Sequence, residues 1–135
     1  MRCCLLGILL ASCAGPEADE ARELRAHLEA IEESTDRREE RLAELAALPL
    51  TSKRLRSLRD QCRTLHEATF EAERESARAG ALLAQIEATP GASLGALGER
   101  ASEALERSKT ALVRAEEARE PCVTGQAMLR LGRLP

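Results

Sequence analysis

Apolar residues return at alternating spacings of three and four along most of this chain, with polar residues between them. Leu24, Leu28, Ile31, Leu42 and Leu45 form one such series, with Thr35 and Arg38 at its skipped positions. This spacing marks one face of a helix. The stretch Ser34 to Arg41 is polar, and Asp36 and Glu39 have capping-box-like spacing there. The pattern predicts one long helix with a weak middle, over about 17–48, with a break in the polar stretch near Ser34 to Asp36 as the alternative. Leu48-Pro49-Leu50-Thr51-Ser52 ends it, because proline disfavours helix at the residue before it. Thr51 or Ser52 then caps the next helix. Leu55, Leu58, Cys62, Leu65, Thr69, Ala72, Ser76, Ala79, Leu83 and Ile86 hold the spacing throughout and predict a second helix over 52–88. Its central residues are small and would let a neighbouring helix approach closely; alternatively, Phe70 and Leu82 widen the stripe into an ordinary core face. Thr89-Pro90-Gly91 is a turn. Ser93 caps a third helix over 93–120, with Leu94, Leu97, Ala101, Leu105, Ser108, Leu112 and Ala115 on one side. Pro121 is expected to stop it, for want of an N–H and by a clash with the preceding turn.

Helices joined by short turns lie antiparallel. The fold class expected is all-α: an up-down-up three-helix antiparallel bundle, or a long helical hairpin with coiled-coil character. The domain would span 17–120 and leave 121–135 as a C-terminal tail. In an upright bundle the segment Val123 to Pro135 begins at the end farthest from the start of the first helix. Met128, Leu129, Arg130, Leu131 and Arg133 give it apolar and cationic character without an acid. The tail is a frayed terminus or a flap over the bundle's end, or a partner-binding segment that orders on contact.

Composition narrows the function. The 135 residues carry 20 Lys and Arg against 23 Asp and Glu, a net charge of -3, which is not the basic footprint of a nucleic-acid binder. Phe70 is the only aromatic residue, so stacking on bases, sugars or flat cofactors has almost no support. Ala, Glu and Arg are good helix formers, and β-branched residues are scarce after residue 35. Large apolar residues are sparse, so the core is thin and calls for a brace. Neighbouring carboxylates such as Glu32-Glu33, Glu39-Glu40 and Glu116-Glu117 alternate with arginines and read as solvated ion-pair faces. No phosphate loop, zinc-protease motif or nucleophile elbow is present, and no enzyme activity is expected.

At the amino terminus Arg2 precedes a short apolar run from Cys3 to Ala11. A membrane-spanning helix needs about 20 apolar residues, so this run suits a secretory signal instead. It closes on Leu10-Ala11-Ser12-Cys13, which resembles the lipobox of bacterial lipoproteins. The resemblance covers the signal alone. It implies a signal peptide of residues 1–12, a covalent lipid on Cys13 as the sole attached group, and a short tether over 13–16. Ordinary secretory cleavage after Ala14 is the rival. Residue Ala14 follows the cysteine, where an aspartate would favour inner-membrane retention in enteric bacteria. The resemblance therefore implies an outer-membrane anchor facing the periplasm, with the inner membrane as the alternative.

Cys3 and Cys4 would leave with the signal, and Cys13 would carry lipid. Cys62 and Cys122 would remain as a pair in an oxidising compartment. Folding the hairpin about Pro90-Gly91 places Cys62 opposite a position about three residues short of Cys122, about 5 Å along a helix. A disulfide can form across that offset. Two buried thiols are the alternative. A metal site is disfavoured: Cys62 and His66 share a face and Cys122 is a third donor, but no fourth ligand is evident. His27 is expected as a half-exposed neighbour of the first stripe. The function expected is a membrane-tethered helical binding or scaffold module, with an envelope protein as partner and no nucleic acid. The alternatives are a self-associating coiled-coil envelope lipoprotein and a small helical pilot for a secretion pore.

Overall fold

The structure, a computed structural model, describes residues 15–33, 36–89 and 94–133. It is all-helical: α1 (Pro16–Glu33), α2 (Arg38–Ala47), α3 (Lys53–Ala88) and α4 (Leu94–Arg130). The five apolar residues of the first predicted stripe are all buried: Leu24, Leu28 and Ile31 from α1, Leu42 and Leu45 from α2. The single helix expected over 17–48 is instead two. Breaking at the polar stretch lets each short helix turn its leucines into one cluster with Leu48, Leu50, Leu55 and Leu58. It also brings Arg38 onto Glu73 and over the Phe70 ring, 4.6 Å from its centroid. Burying a leucine fully is worth roughly 1.5–3 kcal/mol, and several are buried together, against roughly 0.5–1.5 kcal/mol net for each helical hydrogen bond lost.

The link between α2 and α3 follows the expected chemistry. Leu48 is extended ahead of Pro49, with φ −60° and ψ 120°, and Ser52 is the N-cap of α3. Ser52 does not cap through its own side chain. Glu20 of α1 accepts the Thr51 N–H at 3.0 Å and the Ser52 N–H at 3.1 Å, and Glu17 accepts the Ser52 hydroxyl at 2.7 Å. These bonds hold the Glu20 carboxyl below its ordinary range, the Thr51 hydroxyl first among them.

α3 and α4 run antiparallel. Leu58 meets Gly125, Cys62 meets Cys122, Ala72 meets Ser108 and Glu75 meets Arg107, so rising numbers in one helix meet falling numbers in the other. α4 buries Ala101, Ala104, Ser108, Ala111, Ala115, Ala118, Cys122, Gly125 and Leu129 at strict three-four spacing. Nearly all are small, and so are Ala68, Ala72 and Ala79 opposite them. This corrects the predicted faces. α3 buries Ala68, Glu75 and Leu82 where Thr69, Ser76 and Leu83 were expected. α4 buries Ala104 and Ala111 in place of Leu105 and Leu112. Small side chains let the backbones close up, and leucines on that line would hold them apart.

The chain beyond Pro121 departs most from expectation. α4 runs through Pro121 to Arg130, so the tail predicted over 121–135 is largely helix. A proline inside a helix costs about 3 kcal/mol. Cys122 and Leu129, buried against the rest of the molecule, hold the helix past it. α4 ends in a Schellman cap. Gly132 has φ 65°, its N–H donates to the Leu129 carbonyl at 3.1 Å, and the Arg133 N–H donates to the Met128 carbonyl at 2.9 Å. Nor does this end lie far from the start of the chain. Ala18, Ala21 and Arg22 line a groove together with Leu129, Arg130 and Gly132. The starts of α1 and α3 and the end of α4 thus share one end of the molecule, the base. α1 and α2 form a collar there. Past the α2 contact at Glu73 and Arg74, α3 continues toward Ala88 for about 20 Å with only α4 beside it among the described elements.

Candidate interaction surface

Cys62 and Cys122, both fully buried, are joined by a disulfide with a Cα–Cα distance of 4.8 Å. It sits where the leucine-rich base gives way to the alanine seam. Next along the seam, the buried Ser108 hydroxyl donates to the Ala72 carbonyl at 2.9 Å. The Arg107 guanidinium donates to the buried Glu75 at 3.0 Å, and this bond holds the Glu75 carboxyl below its ordinary range. With both sulfurs bonded to each other, His66 has no thiolate neighbour. Its ring stands 6.1 Å from Phe70, its Nε2 is buried without a hydrogen-bond partner, and burial pushes its pKa down against a smaller upward pull from Glu32. Among the described residues no group of three or more His, Cys, Asp and Glu is placed to hold a metal ion.

The residues expected to meet a partner separate into three groups. Leu129 is buried, and Arg130 pairs with Glu32 at 3.5 Å. Met128, Leu131 and Arg133 are exposed at the base. Leu10, Ala11, Ser12 and Cys13 lie outside the described residues. His27 is half-buried beside the first stripe, and among the described residues no helix is long and apolar enough to cross a membrane.

A surface that periodicity had hidden lies along the hairpin. Leu105 is 48% exposed, Leu112 55% and Val113 54%, while Leu83 on α3 is 46% exposed. Leu105 and Leu112 stand seven residues apart, two turns along one face of α4. In the sequence these leucines satisfy the same spacing as a core. The signal that distinguishes them is the parallel series of alanines one position before each.

Fold and surface together define a small all-α protein, a disulfide-clasped helical pair with a two-helix collar at its base. Comparison of the chain with family models, with curated proteins and with solved structures finds no match.

Proposed function

We propose that this chain is a lipid-anchored protein of the bacterial cell envelope and that its helical hairpin, with coiled-coil character, docks onto an envelope protein partner. The observation that carries the docking role is the exposure of the large apolar side chains Leu83, Leu105 and Leu112 along the hairpin. Apolar side chains grouped on one surface mark interaction sites. The anchor rests on Leu10-Ala11-Ser12-Cys13, with cleavage before Cys13 and attachment to the outer membrane facing the periplasm. A buried disulfide supports an exported, oxidising setting. The role is mechanical recognition, without catalysis or a nucleic-acid partner.

Crosslinking in the native envelope tests this. The Leu105→Asn/Leu112→Asn double variant should lose its crosslinked envelope partner while its melting temperature holds, because both side chains are solvent-facing. Crosslinks joining only copies of this chain would favour the self-associating alternative. Undiminished crosslinks to a partner would remove the hairpin from the interface. Intact mass of the membrane-fraction protein tests the anchor separately: Cys13→Ser should leave an unprocessed chain without lipid.

A further inference from the structure

Most cations of the described chain are engaged by a carboxylate or a backbone carbonyl. Lys53, Arg54, Arg100 and Arg133 have no side-chain partner among the described residues. Three of these four stand at the base: Lys53 and Arg54 open α3, and Arg133 follows the cap of α4. Lys53 and Arg54 occupy the first turn of α3, where the helix dipole disfavours positive charge and the helix has no acid of its own. Glu17 and Glu20, which accept from Ser52 and Thr51, Asp19, which pairs with Arg22, and the exposed Glu23 keep their negative charge at this end, but none is in ion-pair contact with Lys53, Arg54 or Arg133. The same end exposes Leu131, at 68% the most exposed large apolar side chain among the described residues, and Met128 at 37%. The base thus combines unsatisfied cations with exposed apolar residues.

We propose that the base docks on the surface of an anionic phospholipid membrane, with Lys53, Arg54 and Arg133 against headgroup phosphates and Leu131 and Met128 at the headgroup boundary. This rests on the lipid anchor at Cys13 proposed above. The chain length makes the membrane the occupant. Cys13 is three residues from Pro16, the start of α1, so the tether spans at most about 10 Å. The base is the end at which α1 starts, so a lipidated Cys13 holds it within about a Debye length of the headgroups. Cations near an anionic bilayer gain about 1 kcal/mol each, or roughly fivefold in binding per residue. The arrangement stands the hairpin away from the bilayer with its leucine surface free.

The chain has only two lysines, which makes the test direct: Lys53 lies at the base and Lys109 on the hairpin. The mature lipoprotein is reconstituted in vesicles of phosphatidylcholine, alone or mixed with phosphatidylglycerol. It is then acylated with a membrane-impermeant amine reagent, and the two sites are compared by mass spectrometry. The Lys53-to-Lys109 labelling ratio should fall severalfold on the mixed vesicles, recover in high salt, and recover in Arg54→Gln/Arg133→Gln, which leaves both lysines in place. An equal ratio on the two vesicles, whether low or high, overturns the proposal while leaving the anchor intact. Absence of lipid on Cys13, read from the mass of the same preparation, overturns both.

Discussion

Gly125 is placed where a side chain has no room. A Cβ there would stand 2.2 Å from Cδ1 of Leu58, which is only 2% exposed and packed in the core. Gly125→Ala should therefore destabilise the fold by about 1–3 kcal/mol, the usual cost of overpacking. Chemical denaturation of that variant, of Leu58→Ala and of the double should show strong coupling, because trimming Leu58 makes the space that the new methyl needs. The neighbouring disulfide closes a loop of 60 residues, for which chain entropy predicts a contribution of about 4 kcal/mol. Cys62→Ser and Cys122→Ser should each lower stability by a similar amount, and the double variant should cost little more than either. Without reductant, alkylation should modify neither cysteine and peptide mapping should find them linked.

At the scale of elements, α4 holds together through tertiary contacts against a local breaker. Pro121 is exposed, so its ring fills no part of the core, and it cannot donate to the carbonyl four residues earlier. Pro121→Ala restores that bond and should stabilise the protein by up to about 3 kcal/mol, less a fraction for the more flexible unfolded chain. A fall in melting temperature would show that the ring itself is needed where it lines the groove with Leu58 and Gln61. α1 and α2 illustrate the converse. The apolar spacing of Leu24 to Leu45 is legible as one face, but periodicity is blind to a bend that keeps every leucine buried.

For the whole molecule, acid should loosen the fold in two stages. Burial lowers the folded-state pKa of His66 from its ordinary 6.5, although Glu32 opposes this. The unfolded chain then takes up the proton first, and stability declines as pH falls below about 6.5 toward the folded value. Glu20 and Glu75 have folded pKa values below 4.5, lowered chiefly by the Thr51 hydroxyl and by Arg107 respectively. Their contribution is complete above 4.5 and is lost as pH falls through the folded values. Melting temperature against pH should show both limbs. His66→Gln should flatten the upper limb and leave the lower one, and an unchanged upper limb would place its origin elsewhere.

The sequence by itself determined the helical class, the ends of α3, the stripe from Leu24 to Leu45, the link at Leu48 to Ser52 and the pairing of Cys62 with Cys122, while the turn expected at Pro90-Gly91 and the cap expected at Ser93 lie outside the described residues. All are consequences of local spacing, turn chemistry and the register of one hairpin. Only the tertiary structure decided which of two adjacent stripes on α4 faces inward, because alanine and leucine series one residue apart have the same period. Close approach of two backbones selects the smaller set, and the leucines become surface. It likewise decided that α4 continues past Pro121, since the buried Cys122 and Leu129 lie beyond the proline and their burial outweighs one missing hydrogen bond. And it set the end of α4 beside the start of α1, because the first expected helix breaks into α1 and α2, which lead from Glu20 up to the Arg38–Glu73 contact and back to Thr51, so that α3 leaves from the end where α1 starts and α4 returns to it.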